Sequence, residues 1–108
     1  MPVTLINTFK VPTEQEQEFL KRWNETTAVY ARTPGFIETH LHRNTGVGNP
    51  IFKYVNIAVW ASNEAFTQAH KKYVPGEESI PGIQFHPAIY EEVIMIRNLL
   101  PTQSNGNE

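Results

Sequence analysis

Two periods of hydrophobic and polar residues divide the chain into strands and helices. Residues 2–10 and 51–60 carry apolar side chains at both odd and even positions, which is typical of strands covered on both faces. Residues 36–43 and 88–97 are the other two predicted strands. The segment 44–50, rich in Gly, Asn and Pro, is a predicted hairpin-type turn.

The first helix is predicted over residues 13–32. Thr13 and Glu16 have the spacing of a capping box, and Pro34 and Gly35 end the helix. Residues at three- and four-residue spacing form its apolar face: Phe19, Leu20, Trp23, Thr27, Tyr30 and Ala31.

The second helix is predicted to begin after Ser62, a residue type that caps helix N-termini, and to end near Tyr73. Its apolar face contains Ala65, Phe66, Ala69, His70 and Tyr73. Residues 74–87 are rich in Pro and Gly and are predicted to form a long loop, a kind of segment that often acts as a lid. Residues 1–100 are predicted to form a single domain, and residues 101–108 a disordered polar tail.

The element order β-α-β-β-α-β predicts an α+β fold of the ferredoxin-like type: a four-stranded antiparallel sheet with two helices on one face. The helices cover one face of the sheet, whereas the first and third strands are apolar on both. A second copy of the chain is the simplest cover for the other face. The sequence therefore predicts a symmetric homodimer that packs sheet against sheet.

Composition excludes several classes of protein. The formal net charge is -2 and there is no basic run, so we expect no nucleic-acid partner. No stretch approaches the ~20 apolar residues of a membrane span, so we expect no membrane partner. The chain has no cysteine, which excludes disulfides and thiolate metal sites. We expect a cytoplasmic protein.

Several short motifs resemble those of a known family. They are Asn7 in the first strand, Thr-Pro-Gly-Phe at 33–36, Val-Asn-Ile-Ala-Val-Trp at 55–60, Ser-x-Glu-Ala-Phe at 62–66 and His-Pro-Ala-x-Tyr at 86–90. Together the sequence resembles the antibiotic biosynthesis monooxygenase family of the dimeric α+β barrel superfamily. The resemblance covers residues 3–97 and implies a homodimer that encloses an apolar pocket.

One branch of that family oxidises polycyclic phenols to quinones without a cofactor. Its members have an Asn and a Trp four residues apart in the third strand, and Asn56 and Trp60 match that pair. The branch also has a Tyr on the second helix, where this chain has Phe66. The resemblance implies that Asn56 and Trp60 contact the substrate.

A second branch degrades haem with an Asn in the first strand and a Trp and a His on the second helix. Asn7 matches, but the Trp position falls near Ala69 and the His position near Ser79. His70 lies in the correct helix and out of register. Haem is therefore the alternative to a reaction without a cofactor.

The remaining candidates come from residue types on apolar rows. His70 is a candidate base, since imidazole exchanges protons near neutral pH. Asn7, Trp23, Phe66, Tyr73 and His86 are predicted to contact substrate. The second strand is predicted to place Phe36, Glu38, His40 and His42 on one row. No third histidine lies near His40 and His42 in sequence, and no metal site is predicted.

Taken together, these residues predict an enzyme. We expect a monooxygenase or oxidase that acts on an aromatic phenol or hydroquinone-like molecule with molecular oxygen. Asn56, Trp60 and His70 are the predicted catalytic residues, in a dry pocket whose donors hold reduced oxygen. The alternatives are a haem-binding or haem-degrading monooxygenase and a non-catalytic dimer that binds a small molecule.

Overall fold

A computed structural model describes residues 1–48, 50–72 and 80–101. The elements follow in the order β1 (Val3–Lys10), α1 (Glu16–Tyr30), β2 (Phe36–Arg43), β3 (Tyr54–Trp60), α2 (Asn63–Lys72) and β4 (Gln84–Tyr90). The strands form one antiparallel sheet in the order β2-β3-β1-β4. The predicted ferredoxin-like α+β fold is confirmed.

The two faces of the sheet differ in what covers them. In β3, Tyr54, Asn56, Ala58 and Trp60 alternate as buried residues on the face that the helices cover. Val55, Ile57 and Val59 lie between them on the opposite face and are only half-buried. The described part of the chain supplies no cover for that second face.

Two hydrophobic clusters connect the helices to opposite ends of the sheet. Trp60 packs with Val3 and Ala69 at one end. Phe9, Phe19 and Tyr54 pack together at the other, with the rings of Phe9 and Phe19 4.9 Å apart and nearly edge to face. Between the two clusters, the helix-side residues of the sheet line a cavity.

The predicted alternation of β2 is wrong at its first residue. Phe36 was expected on the row of Glu38, His40 and His42, but it lies opposite Trp60 on the helix side, with the ring centroids 5.2 Å apart. The pairing of β2 with β3 shifts between Phe36 and Glu38, as at a β-bulge. An extra residue in one strand moves the preceding side chain to the other face.

The capping box predicted at Thr13 does not form. Residues 13–15 make a 3-10 turn, and α1 begins at Glu16 without a side-chain cap. The carboxylate of Glu16 instead accepts a hydrogen bond from Tyr54 Oη at 2.8 Å and pairs with Lys53 Nζ at 3.2 Å. The Glu16 carboxylate, which a capping box requires, is thus bound to residues of the sheet instead.

The N-cap predicted for α2 is confirmed. Ser62 Oγ accepts a hydrogen bond from the backbone N–H of Ala65 at 3.0 Å, which satisfies one free donor of the first turn. The predicted end of this helix, Tyr73, lies outside the described residues, as do residues 74–79 of the predicted loop.

The last strand begins and ends earlier than the predicted range 88–97. β4 pairs with β1 from Gln84, opposite Lys10, to Tyr90, opposite Thr4. Because β1 begins at Val3, its ladder ends there, and residues 91–97 pair with no strand of the described part of the chain. Residues 84–87, predicted as loop, belong to β4; residues 102–108 of the predicted tail lie outside the described residues.

Neither helix resembles a membrane span. Within the described ranges, no helix is long and apolar enough to cross a bilayer.

Candidate functional site

A cavity of about 470 Å³ lies between the helices and the sheet. The inward rows of β1, β3 and β4 form its floor, and α1 and α2 form its walls. Most of the lining is apolar, with aromatic side chains from all six helices and strands: Phe9, Phe19, Trp23, Tyr30, Phe36, Trp60, Phe66 and Phe85. Its volume and lining are those of a site for a small organic molecule.

Two asparagines lie side by side in the floor of this cavity. Asn7 in β1 is directly opposite Asn56 in β3, and both lie on the helix side of the sheet. Directly opposite residues in antiparallel strands have Cβ atoms about 4.5–5.5 Å apart. The two amides therefore form one polar patch between the hydrophobic clusters.

The carbonyl oxygen of each amide already has a donor. Asn7 Oδ1 accepts from the backbone N–H of His86 at 3.1 Å. Asn56 Oδ1 accepts from the hydroxyl of Thr39 on β2. Both NH2 groups are thus left as donors, and among the described residues neither has a hydrogen-bond acceptor.

Trp60 adds a third donor to the same floor. The side chain is 1% exposed, and its indole Nε1 has no hydrogen-bond partner among the described residues. A buried donor without an acceptor costs about 1–3 kcal/mol in a folded protein. Such a group is a natural partner for an acceptor atom on a ligand.

His70 lies at the rim of the cavity near the end of α2. Its Nδ1 is 3.0 Å from the hydroxyl of Tyr30, the last residue of α1. Its ring stacks on Phe66, with centroids 5.6 Å apart and planes 13° from parallel. His70 is exposed while Tyr30 is half-buried, so the pair joins the cavity wall to its outer rim.

The polar groups of the described lining include donors and no carboxylate. Arg22 of α1 lines the cavity, and its Nε donates to Glu18 at 2.9 Å. No carboxylate is found among the described residues that line the cavity. The amide donors of the floor thus lie among apolar side chains, where electrostatic interactions are stronger than in water, whereas the Arg22 charge is balanced by Glu18.

The structure brings together most of the predicted site residues. Asn7, Asn56, Trp60, Trp23, Phe66 and His70 all line the cavity. The His86 side chain does not belong to the lining that is described; its ring packs against Phe52, 5.7 Å away, and its backbone N–H bonds Asn7. Tyr73 lies outside the described residues.

The row of Glu38, His40 and His42 lies away from this cavity. These residues are exposed, and the closest ion-pair contact joins His40 Nε2 to Glu38 Oε2 at 3.7 Å. The described residues contain no group of three side chains able to hold a metal ion.

Sequence reasoning did not assign a role to Thr39 or Arg22, and it treated Tyr30 as a helix-face residue alone. Thr39 orients the Asn56 amide, which requires the β2–β3 register to be known. Tyr30 stands three residues after Thr27 and seven after Trp23, on the predicted apolar face. The Tyr30 hydroxyl at the end of this apolar face was the feature of the sequence that could have indicated a functional role.

A ferredoxin-like domain with a donor-rich apolar cavity belongs to the class of small α+β proteins that bind organic molecules between sheet and helices. The model of the antibiotic biosynthesis monooxygenase family matches residues 2–73. The chain belongs to that family. Proteins of this family are typically dimers.

The chain is similar in sequence to one characterised member of the family. Deoxynogalonate monooxygenase of Streptomyces nogalater is 41% identical over 70 residues. The alignment covers 62% of this chain and 53% of the relative, so the chain spans about half the length of that protein.

Two solved structures share the fold across nearly their whole length. SnoaB of Streptomyces nogalater, a cofactor-independent oxygenase, is 28% identical with a TM-score of 0.62, covering 94% of this chain and 98% of that one. MhuD of Mycobacterium tuberculosis, a haem degrader with two haems bound in its active site, is 26% identical with a TM-score of 0.63, covering 88% and 99%.

Proposed function

We propose that this protein is a cofactor-independent monooxygenase or oxidase that acts on an aromatic phenol or hydroquinone-like molecule with molecular oxygen. The observation that carries the proposal is a set of three side-chain donors in the wall of an apolar cavity, those of Asn7, Asn56 and Trp60, for which the described residues supply no acceptor. The cofactor-independent oxygenase SnoaB, similar in fold and sequence, supports it.

The electron balance explains how such a cavity can work without a cofactor. An ionised phenol or anthrone is electron-rich enough to reduce oxygen itself. For an anthrone, one oxygen atom forms the new carbonyl, and the other leaves as water with the two hydrogens of the oxidised carbon. No external reductant is needed, so the protein has to exclude water, favour the anion and stabilise reduced oxygen.

The residues divide these tasks. Amides of Asn7 and Asn56 and the indole of Trp60 donate to the phenolate or to reduced oxygen, and preorganised donors of this kind stabilise developing negative charge. His70 accepts the phenolic proton. Trp23 and Phe66 flank the aromatic ligand as apolar walls of the cavity.

Oxygen consumption tests the proposal directly. Metal-free and haem-free protein is mixed with a panel of hydroquinones and anthrones, and the wild type is compared with Asn56→Ala and Trp60→Phe. Loss of one such donor is expected to lower kcat by about 10²–10³-fold. Asn63→Ala, which changes an exposed amide on α2 outside the cavity lining, is the matched control and is expected to retain full activity.

Two results would contradict this proposal. One is oxygen uptake at the uncatalysed rate for every substrate in the panel. The other is catalysed uptake that neither Asn56→Ala nor Trp60→Phe reduces, because that would place the chemistry elsewhere.

Haem binding is the second candidate, favoured by an imidazole in the cavity wall and by the similarity to MhuD. A haem iron would find its ligand in Nε2 of His70, because Nδ1 faces Tyr30. Bound haem would supply the iron for oxygen activation. A Soret shift on adding haemin that disappears in His70→Ala or Asn7→Ala would favour this function. Bound ligand without turnover or haem would favour a binding protein.

We further propose that the active form is a homodimer. The sheet face opposite the helices exposes apolar residues, and the segment 91–100 beyond β4 adds six more that are 57–88% exposed: Val93, Ile94, Met95, Ile96, Leu99 and Leu100. Apolar surface of this extent marks an interaction site. Because proteins of this family are typically dimers, a second copy of the chain is the partner that we propose for this surface.

A further inference from the structure

The hydrogen bond between Tyr30 and His70 connects the interior of the cavity to solvent. Tyr30 is half-buried, and its ring meets Trp60 edge-on with centroids 6.1 Å apart and planes at 89°. His70 is exposed at the rim. The 3.0 Å contact between Tyr30 Oη and His70 Nδ1 therefore spans the wall from inside to outside.

Aromatic packing fixes both members of this pair. The His70 ring stacks on Phe66, and the Phe66 ring packs against Trp60 with centroids 5.5 Å apart and planes at 80°. Trp60 thus contacts Phe66 on one side and Tyr30 on the other. The Tyr30 ring is thus packed directly on the buried indole and the His70 ring through Phe66, although the two residues come from different helices.

We propose that Tyr30 and His70 form a proton relay that ionises a phenolic ligand in the cavity. The hydroxyl of the ligand transfers its proton to Tyr30 Oη while the Tyr30 proton passes to His70 Nδ1. The ligand becomes a phenolate, Tyr30 remains neutral, and His70 becomes an imidazolium. His70 holds this proton as an imidazolium while the phenolate stays bound, and the proton later returns through Tyr30 to the reduced oxygen, which restores the neutral pair. The proposal rests on the proposed function and adds Tyr30 to its catalytic residues.

The composition of the lining supports this assignment. Among the described lining residues, imidazole is the one group type that ordinarily accepts a proton near neutral pH, since the others are amides, hydroxyls, an indole and a guanidinium. His70 lies at the rim rather than on the floor, so a ligand deep in the cavity requires an intermediate group. Tyr30 is placed between them.

The anion has stabilising partners once it forms. The Trp60 indole, whose N–H has no acceptor among the described residues, packs edge to face with the Tyr30 ring, and the amides of Asn7 and Asn56 occupy the same floor. Ionisation and stabilisation are thus assigned to different groups. Removing the relay is expected to leave ligand binding in place and to change the charge of the bound ligand.

A dye that reports its own ionisation tests the relay without any turnover. The probe is alizarin, a dihydroxyanthraquinone whose neutral and anionic forms differ in colour, mixed with full-length protein under anaerobic conditions. At a pH where free alizarin is mostly neutral, the wild type is expected to bind it as the anion. Tyr30→Phe and His70→Gln are each expected to lower the anion-to-neutral ratio of bound dye by about tenfold or more, the effect of losing one hydrogen bond to a charged group.

Matched variants and a rescue separate the relay from a structural role. Tyr90→Phe and His42→Gln change the same residue types on the opposite face of the sheet and are expected to behave as wild type. In His70→Gly, added imidazole is expected to restore the anionic spectrum, because the rim site is open to solvent. A purely structural loss would not respond to a free base.

Each other outcome overturns the relay. Anionic dye in Tyr30→Phe and His70→Gln would show that other groups ionise the ligand. Neutral dye in the wild type, or no binding at all, would show that the cavity does not ionise phenols. Oxygen uptake is measured separately: an anionic dye with no uptake by any substrate would retain the relay and reject the oxygenase.

Discussion

Gly35 decides how closely the turn after α1 approaches α2. It has a φ of +90°, a backbone conformation that residues with a Cβ avoid. A Cβ at this position would overlap Cβ of Ala65, in the first turn of α2. Its carbonyl also accepts a hydrogen bond from the N–H of Ala61 at 2.8 Å. Conformation and contact both require glycine.

Substituting this glycine should measure the two requirements separately. Gly35→Ala is expected to lose about 1–2 kcal/mol from its left-handed backbone conformation and about 1–3 kcal/mol more from the overlap with Ala65. Gly46→Ala, at a φ of +93° with nothing within 4 Å of the added Cβ, should lose the backbone part alone. Urea unfolding gives both values.

A compensating variant checks the contact. Gly35→Ala with Ala65→Gly should recover much of the packing loss, apart from the cost of glycine in a helix. Equal destabilisation of Gly35→Ala and Gly46→Ala would mean that the overlap is relieved without cost.

The pairing of the two amides also belongs to the residue scale. Asn56 and Trp60 were predicted from a family motif, and Asn7 from its row in the first strand. Their adjacency depends on the register that places Asn7 opposite Asn56. A shift of the β1–β3 register by one residue would turn one amide to the other face of the sheet. The residues around each asparagine do not by themselves specify that register.

At the scale of elements, Glu16 attaches the start of α1 to β3. Its side chain is 21% exposed and contacts Tyr54 and Lys53. The hydrogen bond from Tyr54, followed by that from Lys53, holds the pKa of the Glu16 carboxyl below its ordinary value. A carboxyl whose pKa is lowered by folding stabilises the folded state when it is ionised.

The pH dependence of stability should reveal this attachment. The contribution of Glu16 is complete above its ordinary pKa of 4.5 and is lost as the pH falls from there through the lower pKa of the folded state. Glu16→Gln is expected to be less stable at neutral pH and to show a shallower loss in that acidic range. Urea midpoints between neutral pH and the acid limit of folding test this.

Glu25→Gln, an exposed residue of the same helix, is the control and should follow the wild-type curve. Parallel acid losses in Glu16→Gln and the wild type would show that other carboxyls control acid unfolding.

The same scale explains the errors in element boundaries. Helix and strand periods located every element, but α1 starts late because Glu16 bonds the sheet, and β4 ends at Tyr90 because β1 provides no further partner. The apolar run at 93–96 has strand composition all the same. Local pattern predicts what a segment can form, and the available partner decides what it forms.

At the scale of the whole molecule, the segment 91–100 extends beyond the sheet. The radius of gyration is 16.2 Å, whereas a compact domain of this length has about 13 Å. The segment is strongly apolar and exposed. A chain that exposes this much apolar surface outside its own core is suited to bury that surface in a dimer.

A charge placed in this segment should weaken the homodimer. Ile94→Asp is expected to shift the molar mass in solution from two chains towards one, because a carboxylate in an apolar interface is costly unless it is paired. Val47→Asp, an equally exposed apolar position in the turn between β2 and β3, should remain dimeric. Light scattering over a range of protein concentrations gives the masses.

A wild-type monomer at all concentrations would contradict the dimer. A dimer that tolerates Ile94→Asp would place the interface on the sheet face without the segment.

The sequence by itself determined the order of the elements, the ferredoxin-like sheet and the family, because hydrophobic period, turn residues and short motifs are local properties. It also supplied the identity of the candidate residues. Tertiary structure decided how they are arranged: the Asn7–Asn56 pair, the buried Trp60 indole that has no acceptor in the described part of the chain, and the Tyr30–His70 bond. Each depends on strand register or on the approach of two helices, contacts between residues far apart in the chain that no local pattern specifies.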